Sequence, residues 1–158
     1  MTAFVLLLCV NTVYAAEMKG KVVRVLDGDT IEVKALPQHL PVDETPLRIR
    51  LMNIDAPETK QPFGRWSTEQ LKSLIAGQVV TVTYKQTDRY GRILGSVFTA
   101  NGTEVSHFMV QSGAAWVYDY YNADQALPAL QLVAIEHKRG LWADNQPVPP
   151  WVWRHKQN

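Results

Sequence analysis

Cysteine, charge imbalance and long apolar runs are what this chain is short of, and each shortage removes a class of protein. Its one cysteine, Cys9, excludes a disulfide framework within the chain and any zinc site made of cysteine pairs. The histidines His39, His107, His137 and His155 are isolated from one another, so no zinc-binding spacing is present. A formal net charge of +1 excludes a surface that draws in polyanions as a whole. Any affinity for nucleic acid has to come from a local cluster. The longest apolar stretch, residues 2–10, is too short to cross a bilayer.

What is there begins with that stretch. It leads into Val13-Tyr14-Ala15, a small-residue cleavage pattern, and the two read together as a signal peptide over residues 1–15. Only the α-amino group of Met1 supplies positive charge ahead of it. A buried amino-terminal strand fits less well, since polar Asn11 and Thr12 follow at once, and bulky Leu8 before Cys9 argues against a lipoprotein. Cleavage after Ala15 leaves no cysteine, which suits a secreted or periplasmic protein stabilised by its core alone. The remaining length fits one compact domain over residues 16–145, with a Pro/Trp-rich tail over residues 146–158.

From Lys21, Val22-Val23-Arg24-Val25-Leu26 and Ile31-Glu32-Val33 are β-branched and alternating, with Asp27-Gly28-Asp29 as the turn of a hairpin. Pro37, Pro41 and Pro46 punctuate a polar connection. Alternation resumes from Leu47 to Ile54, a third strand ending at Asp55. Helical spacing follows from about Arg65 to Ala76, with Leu71, Leu74 and Ile75 on one face and Gly77 as the stop. Val79–Tyr84 and Ile93–Phe98 are the next strands, joined through the turn at Asp88 to Gly91. Thr103 is placed to cap a second helix ending at Gly113, and a third runs from near Asp124 to Arg139. The tail reads as extended. Strands first and helices gathered late give an α+β class, and a five-stranded barrel of the OB type fits the pattern.

Three segments carry the chemistry: Asp27-Gly28-Asp29-Thr30, Arg50 through Ile54-Asp55-Ala56-Pro57-Glu58, and Asp88-Arg89-Tyr90-Gly91-Arg92. Each alone reads as an ordinary turn. Jointly they lie at strand ends, where a barrel mouth could gather them. Burying Asp29, Asp55 and Glu58 together costs like-charge repulsion, which Ca²⁺ and the flanking Arg50 and Arg92 would relieve. Arg50 alternates with Ile49 and Leu51 in a strand whose neighbours are mostly apolar, so its charge needs a partner. Carboxylates for a hard cation beside two arginines for a phosphate point to metal-assisted phosphodiester cleavage.

In this order, with Val25-Leu26 ahead of the first segment and Gly140-Leu141-Trp142 closing the domain, the motifs resemble the staphylococcal nuclease (thermonuclease) family in its secreted bacterial form. The resemblance covers nearly the whole region after residue 15. It implies an OB-fold barrel with three α-helices, dependence on Ca²⁺, and endonucleolytic hydrolysis of DNA and RNA that leaves 3′-phosphates. By matching position it implies Asp29 and Asp55 as metal ligands, with the main-chain carbonyl of Ala56 as a third. Glu58 would be the general base, Arg50 and Arg92 the phosphate clamps, and Asp27 a support behind the ligands. Arg89 and Tyr90 would meet a neighbouring phosphate, and Tyr121 a base or sugar. The chain departs from the thermonuclease pattern at Ala56, which stands in place of threonine. It departs also in a longer segment from Ala35 to Pro46 and a shorter loop after Glu58.

A rival reading is a catalytically silent OB-fold module that binds single-stranded nucleic acid or protein; another is a calcium-binding structural domain. The joint presence of Asp29, Arg50, Asp55, Glu58 and Arg92 argues against the silent module, and a calcium-binding structural domain would show metal uptake without any cleavage. Trp66, Trp116 and Trp142 read as core aromatics and His107 as a half-exposed packing residue. Trp151 and Trp153 read as folding back on the barrel. A monomer acting on nucleic acid, with no membrane contact once mature, is the expected working form.

Overall fold

The computed structural model describes residues 15–37 and 45–156. The expected signal peptide, apart from Ala15, lies outside the described residues, as do Cys9, His39 and Pro41. Five strands close into a barrel: β1 (Ala16–Val25), β2 (Thr30–Ala35), β3 (Leu47–Leu51), β5 (Val79–Thr87) and β6 (Ile93–Phe98). Their order around the wall is β1-β2-β3-β6-β5, with β5 returning to β1. Only β3 and β6 run parallel. Closure leaves no free sheet edge, which suits a small all-purpose core.

Alternation sets the walls. Ile31, Val33, Ile49, Leu51, Val82 and Val97 point inward with no exposed surface, each such burial stabilising the fold by roughly 1.5–3 kcal/mol. Between them Glu32 faces outward, paired with Arg48 at 3.2 Å and Arg24 at 3.5 Å. Helix α1 (Gly64–Ile75) buries Leu71 and Ile75, while α2 (Val105–Gln111) and α3 (Leu127–Glu136) bury Met109, Val110 and Leu127. The α+β barrel of the OB type is therefore the fold.

Several boundaries differ from the sequence expectation: β1 begins at Ala16 and not Lys21, β5 runs on to Thr87, and Glu104, not Thr103, caps α2. The third strand does not run to Ile54: it stops at Leu51, turns at Asn53 with φ of 66°, and resumes as β4 (Ile54–Asp55), which pairs with β7 (Trp116–Val117) outside the barrel. Asn tolerates this left-handed conformation better than most residues. The third helix begins at Leu127, with Pro128 in its first turn, rather than near Asp124. Finally, the tail is not extended. Pro150–Lys156 form a fourth helix, α4, so the helices number four among the described residues, where three were expected. Proline at the first helical position is pre-set for helix, which explains the start at Pro150.

Candidate active site

One mouth of the barrel gathers residues from four places in the chain. The β1–β2 turn is closed by Asp27, whose Oδ1 accepts the Asp29 N–H at 3.0 Å. Gly28 is required by crowding: a Cβ there would stand 2.0 Å from Ser67 Oγ and 2.7 Å from Ala56 Cβ. Without a side chain, the turn presses against α1 and the segment after β4. Asp29 is 6% exposed. Its Oδ2 accepts the Ala56 N–H at 2.7 Å, and its Oδ1 accepts the Thr30 hydroxyl at 3.0 Å.

Arg50 ties the acids together. Its Nε lies 3.1 Å from Asp29 Oδ1 and its Nη2 donates to Asp55 Oδ1 at 3.2 Å. Nη1 donates to the carbonyls of Leu51 at 2.6 Å and Ile54 at 2.8 Å, which fixes the turn that carries Asp55 out of the barrel. The planar fork of arginine makes this four-way junction possible, and lysine could not reproduce it. Asp55, 1% exposed, is locked in place by strand pairing with Trp116.

Glu58 follows Pro57, where the chain leaves β4. Its N–H donates to Gln61 Oε1 at 3.1 Å and its carbonyl accepts from the Gln61 N–H at 2.8 Å. Gly64 lets that loop close tightly, since a Cβ would stand 1.9 Å from the Glu58 carbonyl oxygen. The Glu58 side chain is half-exposed and meets Arg154 of α4: Nη1 donates to Glu58 Oε1 at 2.7 Å. The same guanidinium donates to both oxygens of Asp55, at 3.2 Å and 2.7 Å. Sequence reasoning missed Arg154. The signal was available in Pro150 as a helix start with Trp151 and Arg154 three apart, on one face.

Asp29, Arg50, Asp55, Ala56 and Glu58 thus come together. Arg92 makes no hydrogen bond or ion pair with any of them. It is held within its own turn, Nε to Asp88 Oδ2 at 2.7 Å, with its guanidinium 5.5 Å from the centre of the Tyr90 ring. Arg89 also lies over that exposed ring, 4.9 Å from its centre. Tyr121 is exposed and stands in a string of rings with Tyr120 and Tyr118, and Tyr118 in turn touches Trp151. Trp66 packs on the core as expected, while Trp116 and Trp142 are half-buried and pack on each other, ring centres 4.4 Å apart and planes tilted by 59°. His107 is half-exposed and bound to Asp124 at 2.7 Å.

The electrostatics of the mouth are anionic. Burial, then the charge of Asp29, pushes Asp27 up to about 7. Burial also raises Asp55, offset in part by the hydrogen bonds from Arg154 and the charge of Arg50, while Asp29 adds to the rise. Among the described residues no three His, Cys, Asp or Glu side chains stand as a ready-made metal cage. The donor chemistry nonetheless fits a hard divalent cation. The acids supply oxygen alone, and the four carboxylates of Asp27, Asp29, Asp55 and Glu58 share only the two guanidinium groups of Arg50 and Arg154 among the described residues. Ca²⁺ completes its shell with carbonyls and water, so two carboxylates suffice to begin a site.

A closed mixed barrel of the OB type thus carries buried carboxylates and arginine at one mouth, donors suited to a hard cation and a phosphodiester. The model of the family described as staphylococcal nuclease homologue matches residues 48–144, and the chain belongs to that family. It is similar to an uncharacterized endonuclease of Escherichia coli, 59% identical over 145 residues that cover 92% of this chain and 90% of that protein. A micrococcal nuclease of Shigella flexneri is 40% identical, covering 88% of this chain and 82% of its own. A staphylococcal-like nuclease of Arabidopsis thaliana is 37% identical over 68% of this chain, which matches a third of that longer protein (33%).

Proposed function

We propose that this chain is a calcium-dependent endonuclease that hydrolyses phosphodiester bonds of DNA and RNA, with Glu58 as general base and Arg50 and Arg92 on the phosphate. The observation that carries the reading is the junction at Arg50, which joins the buried carboxylates of Asp29 and Asp55 with Glu58 close by. Asp29, Asp55 and the Ala56 carbonyl are the residues that would hold Ca²⁺. When bound, the ion would neutralise a phosphate oxygen and lower the cost of bringing a nucleophile to an anion.

The chain's own residues do the rest. Glu58 is half-exposed, so water reaches its carboxylate, and it takes the proton of the attacking water. Arg50 is held in place by two carbonyls and two acids, so a phosphoryl oxygen would be met by the remaining N–H of Nη2 on a side chain already fixed in position. Arg92 moves onto the phosphate from its local pair with Asp88, which asks only for a change of partner within a surface turn. Arg89 and Tyr90 contact a neighbouring phosphate, and Tyr121 a base or sugar. A leader over residues 1–15 and work outside the cytoplasm as a monomer complete the proposal. Digestion of single-stranded DNA, double-stranded DNA and RNA across a calcium titration tests it. Cleavage is expected to rise with calcium and to stop in EDTA; cleavage indifferent to EDTA would overturn the metal assignment, and metal uptake with no cleavage would favour a silent binding module.

A further inference from the structure

Two arginines share Asp55, and they are held in different ways. Arg50 spends two of its donors on backbone carbonyls and keeps 14% of its side chain exposed, so it is fixed to the fold. Among the described residues the Arg154 side chain has no backbone partner. Its three hydrogen bonds all end on the carboxylates of Asp55 and Glu58, and 42% of its side chain faces solvent. Its helix is anchored independently of these bonds. Trp151 packs on Trp116 with ring centres 5.7 Å apart and on Tyr118 at 5.4 Å, Pro150 is buried, and the carbonyl of Val148 accepts from Gln61 at 2.6 Å. The guanidinium can therefore let go of the acids while α4 stays docked.

We propose that Arg154 is a residue of the active site, a resident counter-cation of Asp55 and Glu58 that an incoming divalent cation must displace. The inference rests on the reading of Asp55 as a metal ligand. A guanidinium bonded to both Asp55 oxygens fills the positions a metal would need, and its positive charge repels the ion at close range. The coupling is reciprocal: whatever Arg154 contributes to holding the free acids in place is subtracted from the affinity for metal. In the metal-free enzyme the arrangement also ties up the base, so Glu58 becomes free to accept a proton only when the cation site is filled.

Calorimetric titration of the full chain with CaCl₂, for the parent and for Arg154→Gln and Arg154→Lys, tests this. Arg154→Gln is expected to bind calcium roughly three- to tenfold more tightly, in line with the modest strength of partly exposed ion pairs. Arg154→Lys, which keeps the charge but cannot fork across Asp55, is expected to fall between parent and glutamine variant. Thermal melting supplies a second readout. Arg154→Gln melts below the parent in EDTA, and the gap closes in saturating calcium, because the bonds it removes exist only without the metal. Equal or weaker calcium affinity in both variants, or a melting gap that persists in calcium, would overturn the exchange while leaving calcium binding intact. A failure of calcium to bind parent and variants alike would overturn the cation site itself, and the exchange with it.

Discussion

Two arginine-bearing regions of this molecule, the barrel mouth and the β5–β6 turn, are built by opposite means. At the barrel mouth, Arg50 of β3 and Arg154 of the carboxyl-terminal helix bond to residues of the β1–β2 turn, of β4 and of the loop after it, so the arrangement exists only when the whole chain has folded. The β5–β6 turn closes on itself. Asp88 Oδ1 accepts the N–H groups of Tyr90 at 2.8 Å and Arg92 at 3.0 Å, its Oδ2 takes the Arg92 side chain, and Arg89 and Arg92 lie over the Tyr90 ring. The first region is a fixed template made by tertiary structure; the second is a local unit that can shift as one piece. A site assembled from both would hold the proposed metal ligands rigidly while the proposed phosphate contact at Arg92 adapts to substrate.

The largest effect belongs to the mouth. Glu58→Gln keeps the shape of the side chain and removes the base, so turnover in a nuclease assay is expected to fall by at least about a hundredfold, with calcium uptake retained. An unchanged rate would take the base role away from Glu58. The comparison of the regions is sharpened by making the same change in each. Arg50→Lys leaves carbonyls and buried carboxylates without their donors and is expected to cost about 3 kcal/mol of stability in urea unfolding. Arg92→Lys disturbs only its own turn and is expected to cost under about 1 kcal/mol, while lowering cleavage because a lysine cannot present two parallel N–H groups to a phosphate. Equal stability losses at the two positions would break the distinction between template and local unit.

How far this could be read in advance follows the same division. The five barrel strands were legible because each carries period-two alternation to the core, and α1 because Leu71, Leu74 and Ile75 recur on one face. The meeting of Asp29, Arg50, Asp55 and Glu58 could be anticipated from strand-end placement and from a charge, Arg50, embedded among apolar neighbours. What escaped was set by contacts that no local pattern encodes. The break of β3 at Asn53 depends on Arg50 donating to Leu51 and Ile54, and the pairing of β4 depends on Trp116, far along the chain. The prolines of the tail hide its helix, because proline suits an extended chain as well as a helix start, and Pro150 occupies a helix start. Arg154 was lost with it.

The smallest effect probes the local unit by pH. Burial alone would raise Asp88, but the Arg92 N–H, the Arg92 guanidinium and the Tyr90 N–H together hold its carboxyl below the ordinary aspartate value. A lowered folded value means that the charged form favours folding: the contribution is present above the unfolded value near 3.8 and fades as pH falls through the folded one. Asp88→Asn should therefore cost about 0.5 kcal/mol at neutral pH, after allowance for solvent screening, and progressively less in acid below about pH 4. Unfolding curves of parent and variant at several pH values check it. A loss that stayed constant down to the acid limit would mean that Asp88 acts through the shape of the turn and not its charge. The Arg92 side chain would then be free of an electrostatic tether, and its move to a phosphate would cost less than the structure implies.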